Sequence, residues 1–286
     1  MRWLADRHGV HTAEYEDVWR WSVGDLEQFW SSFAEWARVR WHTEPGSALT
    51  DRTMPGARWF PGARLNYAEH LLFPPGADAP GDLAVIFARE DGLNRELSRR
   101  ELRDEVAAVA GWLRAQGVCP GDRVAGLLPN CPEALIAMIA TTAIGAIWSS
   151  CSPDFGPRAV VDRFAQIQPT ILIAVDGYRY GGRSFTILDR IQALCDELPS
   201  LQATVLLPYP DANAALPGAT TWADLLTSPA SIAFESMPFD APLWILYSSG
   251  TTGLPKPIVH SHGGILLEHM KQLALHLDIG PTDRFL

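Results

Sequence analysis

The chain has 286 residues, 47% of them hydrophobic and 20% charged, with a formal net charge of −10. That balance suits a globular chain with a sizeable core, long enough for about two domains. The acidic surplus argues against a general nucleic-acid partner, since nothing offsets phosphate repulsion over the whole surface; it does not forbid a local cationic pocket for a nucleotide. Four cysteines, Cys119, Cys131, Cys151 and Cys195, are scattered without a Cys-x-x-Cys pair, which reads as reduced thiols in a cytoplasmic protein. The start, Met1-Arg-Trp-Leu-Ala-Asp-Arg-His8, is too charged for a signal peptide. The longest largely apolar run, Ala134 to Trp148, covers 15 residues. A membrane span needs about 20, so no span is expected and the run reads as a buried helix.

Residues 1–80 carry seven of the eleven tryptophans. Ser22-Val-Gly-Asp25 resembles a capping box. Leu26, Phe29, Trp30, Phe33, Ala37 and Trp41 then recur at helical spacing, which predicts an amphipathic helix with an aromatic face that serves packing. The Pro-, Gly- and Ala-rich stretch 50–80 reads as a surface connector.

From residue 81 strands and helices alternate. Leu83 to Phe87 is a short strand, and Ser98-Arg-Arg-Glu101 is a capping box opening a helix through Leu113, with Gly117 just past its end. Arg123 to Leu128 is a buried strand. Pro132 and Glu133 open an apolar helix towards Gly145, as proline and an acid suit a first turn. Further helices are predicted at 157–166, 186–198 and 222–226, and strands at 170–175, 204–207 and 242–247. Continuous rather than alternating hydrophobicity in the strands predicts an α/β fold with a mostly parallel sheet covered by helices on both faces.

The last predicted strand, Pro242 to Tyr247, empties into Ser248-Ser-Gly-Thr-Thr-Gly253, closed by Leu254, Pro255 and Lys256. Glycines permit close backbone approach, successive N–H groups form an anion-binding concavity, and the lysine adds a point charge. Ser248, Ser249, Gly250, Thr251, Thr252, Gly253 and Lys256 are therefore candidates to hold an oligophosphate. This is no Walker loop, because Lys256 lies between two prolines and opens no helix. Pro257 to His260 could extend as a strand, Gly263-Gly264 precede a helix through His276, and Asp283 to Leu286 look like the start of another strand. His262, His269 and His276 are spaced by seven residues, about 10.5 Å along a helix, too far to share one metal, so no metal site is expected. The chain stops there without a closing helix, and it reads as a truncated domain with an open sheet edge.

Tyr247-Ser-Ser-Gly-Thr-Thr-Gly-Leu-Pro-Lys256 resembles the signature of the AMP-forming acyl-CoA synthetase and adenylation-domain superfamily, as do Gly117 to Ala125 and Ala146 to Asp154. Phe60 to Glu69, Trp148 to Gly156, Asp162 to Pro169 and His260 to Gly264 are most similar to its acetoacetate–CoA ligase branch. The resemblance covers nearly the whole chain. It implies the partial N-terminal domain of the adenylate-forming fold, with residues 1–80 as a leading region and 81–286 as an AMP-binding region truncated at its C-terminal side. It implies acetoacetate, ATP with Mg²⁺, and CoA as substrates and cofactors, and a reaction through an acyl-adenylate. Thr252 and Lys256 would be the catalytic pair of the phosphate loop. Arg179, Gly181, Gly182 and Arg183 match the segment that holds the CoA nucleotide in related acetyl-CoA synthetases, with Tyr180 standing where that segment's first arginine aligns unless one residue is inserted. A basic turn with no ligand is an equal reading of those residues. His260 falls where relatives place a histidine or aromatic residue near the acyl site, and a structural histidine is an equal reading. Pro257 departs from the glycine that commonly follows the lysine.

The downstream acyl, adenine and ribose segments cannot be placed on these residues, so the 286-residue chain alone is expected to lack synthetase activity. Two other readings stay open: an acetate or propionate synthetase, and a non-catalytic nucleotide-binding protein.

Overall fold

The computed structural model describes residues 1–74, 79, 82–227, 231–249, 253–280 and 283–285. The amino-terminal part forms α1 (Arg2–His8), α2 (Tyr15–Gly24), α3 (Leu26–Trp36), the short strands β1 (Leu49–Asp51), β2 (Arg58–Trp59) and β3 (Arg64–Leu65), and α4 (Tyr67–Leu72). An antiparallel hairpin follows, β4 (Leu83–Ala88) and β5 (Asn94–Ser98). Then come α5 (Arg99–Ala115), β6 (Arg123–Leu127), α6 (Pro132–Ala143), β7 (Ile147–Cys151), α7 (Pro157–Ile167) and β8 (Ile171–Val175). A second hairpin, β9 (Gly177–Tyr180) and β10 (Arg183–Thr186), leads to α8 (Leu188–Glu197), β11 (Ala203–Leu207), β12 (Thr220–Thr221) and α9 (Trp222–Leu225). The chain closes through β13 (Met237–Pro238), β14 (Pro242–Ser248), β15 (Lys256–Ser261), α10 (His262–Lys271) and a π-helical turn at Gln272–His276.

The main sheet has seven strands in the order β12-β11-β8-β6-β7-β14-β15. Every pairing is parallel except the last, where β15 returns antiparallel to β14. Strand β8 is buried at every residue, which is why its sequence is an unbroken apolar run. From β6 the chain steps to β7 on one side, and from β7 it crosses back to β8 on the other. Right-handed crossovers therefore put α6 and α7 on opposite faces. Helix α5 packs with α6, and α8 packs with α7. The mostly parallel sheet with helices on both faces is the predicted fold.

Local signals explain the helices that position the site. Ser98 Oγ accepts from Glu101 N at 3.2 Å and Glu101 Oε2 accepts from Ser98 N at 2.8 Å, a closed capping box. Leu102, Val106, Val109, Ala110 and Leu113 form the buried stripe of α5. Gly117 takes φ 82, a left-handed conformation that glycine adopts without strain. A second core joins the amino-terminal region to the end of the chain: Phe33, Phe60, Leu65 and Tyr67 pack with Phe239, Leu243 and Leu266. Trp41 stacks on Phe60 at 5.4 Å and Phe60 meets Phe239 at a tilt at 4.8 Å, so these aromatic rings serve packing.

Several predicted details are corrected. Ser22 caps nothing: α2 runs to Gly24, Ser22 Oγ turns back to the Trp19 carbonyl at 2.8 Å, and Asp25 is the N-cap of α3. The predicted helix ends at Trp36, before Ala37 and Trp41. The stretch 50–80 is more than a connector, since it holds β2, β3 and α4. Strand β4 pairs with β5 outside the main sheet. The apolar run 134–148 is divided, because Gly145 at φ 75 ends the helix and β7 begins at Ile147. Gly263 and Gly264 lie within the first turn of α10, where the ring of Phe239 stands 2.1 Å from a Cβ built on Gly263. Residues 283–285 form no strand, and Leu286 lies outside the described residues. Among the described residues no helix is long and apolar enough to cross a membrane.

Candidate functional site

Strand β14 runs parallel to β7, with Trp244 opposite Trp148, and ends at Ser248 on the carboxyl edge of the sheet. The carboxyl end of β14 lies beside that of β7, with β7 between it and β6, around which the strand order reverses. Open α/β sheets take ligands at such switch points. The return is antiparallel, with Tyr247 facing Pro257 and Ser248 facing Lys256. The glycine-rich segment therefore connects two antiparallel neighbours, β14 and β15. Directly opposed residues share one side of the ribbon, so the exposed Ser248 hydroxyl and Lys256 ammonium flank the mouth of the loop together. Ser249 is also exposed, and Gly253 sits at φ 99. Gly250, Thr251 and Thr252 lie outside the described residues.

Helix α7 anchors this hairpin from below. Tyr247 Oη donates to the Arg163 carbonyl at 2.7 Å, and Gln166 Nε2 donates to the Pro255 carbonyl at 3.1 Å. The Arg163 guanidinium lies over the rings of Phe155 at 5.0 Å and Tyr247 at 5.8 Å. Burial pushes the Tyr247 phenol up to about 12, so it stays a protonated donor. Ser149 Oγ donates to the Ile245 carbonyl at 2.8 Å, tying β14 to β7. Sequence reasoning marked the segment Asp162 to Pro169 yet assigned no role to Arg163 or Gln166. Their presence in a branch-like segment was the signal.

A second group surrounds the predicted acyl-site residue. Trp244 Nε1 donates to His260 Nδ1 at 2.8 Å, so the neutral ring that accepts there carries its hydrogen on Nε2. Tyr67 Oη meets His269 Nδ1 at 3.0 Å, and the Trp244 ring lies 5.4 Å from Tyr67 and 5.8 Å from His269. Beneath them His262 is fully buried, accepts the Tyr67 N–H on Nδ1 at 3.4 Å, and is pushed down to about 4 by burial. Burial also holds His269 below the usual imidazole range. His260 and His269 thus meet the same indole ring, although they come from a strand and a helix.

The CoA-like segment forms the β9–β10 hairpin. Its turn is Gly181-Gly182, both with positive φ (58 and 75), as a two-residue hairpin turn requires. Arg183 pairs with Tyr180 and Arg179 with Ser184, so the pleat sends the two arginines to opposite faces. Arg179 Nε faces Asp91 Oδ2 at 3.2 Å as an ion pair without hydrogen-bond alignment, while Arg183 is exposed. The structure brings both glycines and Arg183 together and turns Arg179 away from them. Sequence reasoning missed Glu90: its two carboxylate oxygens accept from Gly181 N and Gly182 N, each at 3.1 Å.

A cleft of about 800 Å³ opens elsewhere, between Trp30, Arg58, Trp59, Arg64 and Phe239. Its lining includes none of the described residues of the glycine-rich loop. The loop's donors and charge, not cleft size, mark the site. Among the described residues no group of three or more His, Cys, Asp or Glu could hold a metal ion.

Comparison with known proteins identifies the family and the fold. A family model described as AMP-binding enzyme matches residues 75–286, and one described as acetyl-coenzyme A synthetase N-terminus matches residues 15–71. The chain belongs to the AMP-binding enzyme family. An acetoacetyl-coenzyme A synthetase of Rhizobium meliloti (strain 1021) is 42% identical over 99% of this chain and 43% of its own length. A malonamoyl-CoA synthetase of Penicillium aethiopicum is 37% identical over 97% of this chain and 40% of its own length. The solved structure of acetoacetyl-CoA synthetase from Streptomyces lividans superposes with a TM-score of 0.95 at 50% identity, covering 99% of this chain and 44% of that one. The chain thus spans about two fifths of the length of the relatives it matches.

Proposed function

We propose that this chain carries the phosphate grip of an AMP-forming acetoacetate–CoA ligase, with residues 1–80 as its leading region and 81–286 as the adenylation region. The observation that carries the reading is the β14–β15 hairpin, which sets Lys256 opposite Ser248 at the carboxyl edge of a parallel sheet. In the first step an acetoacetate carboxylate oxygen bonds to the α-phosphorus of ATP and the bond to the β-phosphate breaks, releasing diphosphate. In the second, the CoA sulfur bonds to the acyl carbon, the bond to AMP breaks, and the thiol proton goes to solvent. Such chemistry depends mainly on positioning and charge stabilisation. The hydroxyls of Ser248, Ser249, Thr251 and Thr252, with the N–H groups of Gly250 and Gly253, hold the β- and γ-phosphates. Lys256 offsets their charge as it builds on the leaving diphosphate. Each charge-assisted hydrogen bond contributes roughly 1.5–3 kcal/mol. Magnesium would enter with ATP, and the chain's own residues would act on the phosphates themselves.

His260, oriented by Trp244, lies on the strand leaving the loop and faces the acyl group. The acetoacetyl and malonamoyl groups in the relatives' names both carry a carbonyl at the third carbon, which favours a short 3-oxo acid over acetate. Scattered free thiols support a cytoplasmic setting. Residues 1–286 alone do not complete the cycle, a reading supported by relatives more than twice as long. The experiment is thioester formation and ATP–diphosphate exchange with acetoacetate, malonamate, acetate or propionate, in the chain extended to its relatives' length and in residues 1–286. Acetoacetate-dependent turnover in the longer chain only is expected; turnover of acetate without acetoacetate would reverse the substrate assignment.

A further inference from the structure

The two glycine N–H groups at the tip of β9–β10 already hold an anion. Both point at one carboxylate, that of Glu90, with one oxygen each at 3.1 Å. Successive N–H groups aimed at one acceptor make a preorganised anion cradle, and a phosphate ester offers the same paired oxygens with more charge. The cradle is on the surface: Gly181, Gly182, Arg183 and Glu90 are all exposed. Arg183 sits at the end of the turn, opposite Tyr180, and adds a cation beside it.

The residues around Glu90 are fixed. Asp91 takes both Nε and Nη2 of Arg89 at 2.8 Å and faces Arg179 at 3.2 Å. The Arg89 hydrogen bond, above all, holds the Asp91 carboxyl down at about 2. Arg89 Nη1 also donates to the Tyr209 carbonyl at 3.1 Å. The β4–β5 turn is thus tied down by its arginine and aspartate, while the exposed Glu90 side chain can swing away by rotamer change alone. Residue 90 therefore acts at the cradle without any movement of the hairpins.

We infer that Glu90 is a built-in competitor for the Gly181–Gly182 anion site: its carboxylate occupies the two N–H groups that a phosphate ester of CoA would take, and it must leave before that ester binds. The inference rests on the CoA reading of Gly181, Gly182 and Arg183. It makes Glu90 a residue that sets CoA affinity without touching the bound ligand. Because the contact is solvent-exposed, releasing it costs little, and the expected effect is correspondingly modest.

The test is a calorimetric titration of residues 1–286 with adenosine 3′,5′-bisphosphate and with CoA, in wild type, Glu90→Gln, Glu90→Ala and Arg183→Ala, with thermal melting to confirm folding. Removing the carboxylate is expected to tighten both ligands about threefold to tenfold, and Arg183→Ala to weaken them. If the Glu90 variants bind equally or more weakly while Arg183→Ala still weakens binding, the competitor role is overturned and the CoA reading stands. If no form binds either ligand, both are overturned.

Discussion

The indole of Trp244 donates its Nε1–H to Nδ1 of His260 at 2.8 Å, across the antiparallel pair that closes the sheet. The bond sets the tautomer and the ring plane of the histidine nearest the proposed acyl site. Trp244→Phe keeps an aromatic ring and deletes the donor. We expect a stability loss of about 1 kcal/mol in urea unfolding, and a His260 imidazole nitrogen spectrum that changes from one tautomer to a mixture. An unchanged spectrum would mean that the indole does not orient the ring.

Gln166 reaches from α7 to the Pro255 carbonyl, immediately before Lys256. The bond is exposed, so Gln166→Ala should move global stability by no more than about 0.5 kcal/mol. Its effect should fall on the loop: ATP binds several-fold more weakly, with melting temperature retained. Equal ATP affinity in the two forms would show that α7 does not position the loop.

His262 makes folding sensitive to acid. Burial lowers its folded value to about 4, against an ordinary value of 6.5. The buried site accepts only the neutral ring, so the unfolded chain binds the extra proton first as pH falls. The corresponding stability is complete above about pH 6.5 and is lost as pH falls towards 4, to an extent of ~3 kcal/mol. Burial also lowers His70 and His269, which act in the same direction. His262→Asn keeps an acceptor for the Tyr67 N–H and removes the titration. Urea unfolding of both forms between pH 7 and 4 should give a shallower fall for the variant; parallel curves would exclude His262 as the cause.

Much of this fold is legible in the chain. Ile171 to Val175 are apolar without a break because the strand is buried on both faces, and Ser98 with Glu101 marks a helix start that the structure confirms in both hydrogen bonds. Strand β7 was hidden because Ser149 and Ser150 interrupt its apolar pattern, and one of these serines is spent on a bond to Ile245. The Ser22 capping box failed because a hydroxyl two residues before a glycine found a nearer carbonyl. In the site, the loop's composition and its lysine were readable, while the antiparallel return that puts Lys256 opposite Ser248 was not. Nor were the contacts of Gln166 with Pro255 or of Glu90 with Gly181 and Gly182, which join residues 89, 91 and 92 positions apart. Such contacts depend on how separate elements pack, and no local pattern encodes them.

The loop that closes on Lys256 is proposed to grip the β- and γ-phosphates of ATP. The most direct test of this grip is equilibrium binding of ATP, diphosphate and AMP to residues 1–286, with Lys256→Ala beside the wild type. Lys256 is exposed, so the variant should fold normally. The variant should lose about tenfold in affinity for ATP and for diphosphate, equivalent to ~1.4 kcal/mol, with AMP binding little changed. Equal binding of ATP and diphosphate by the two forms would contradict it.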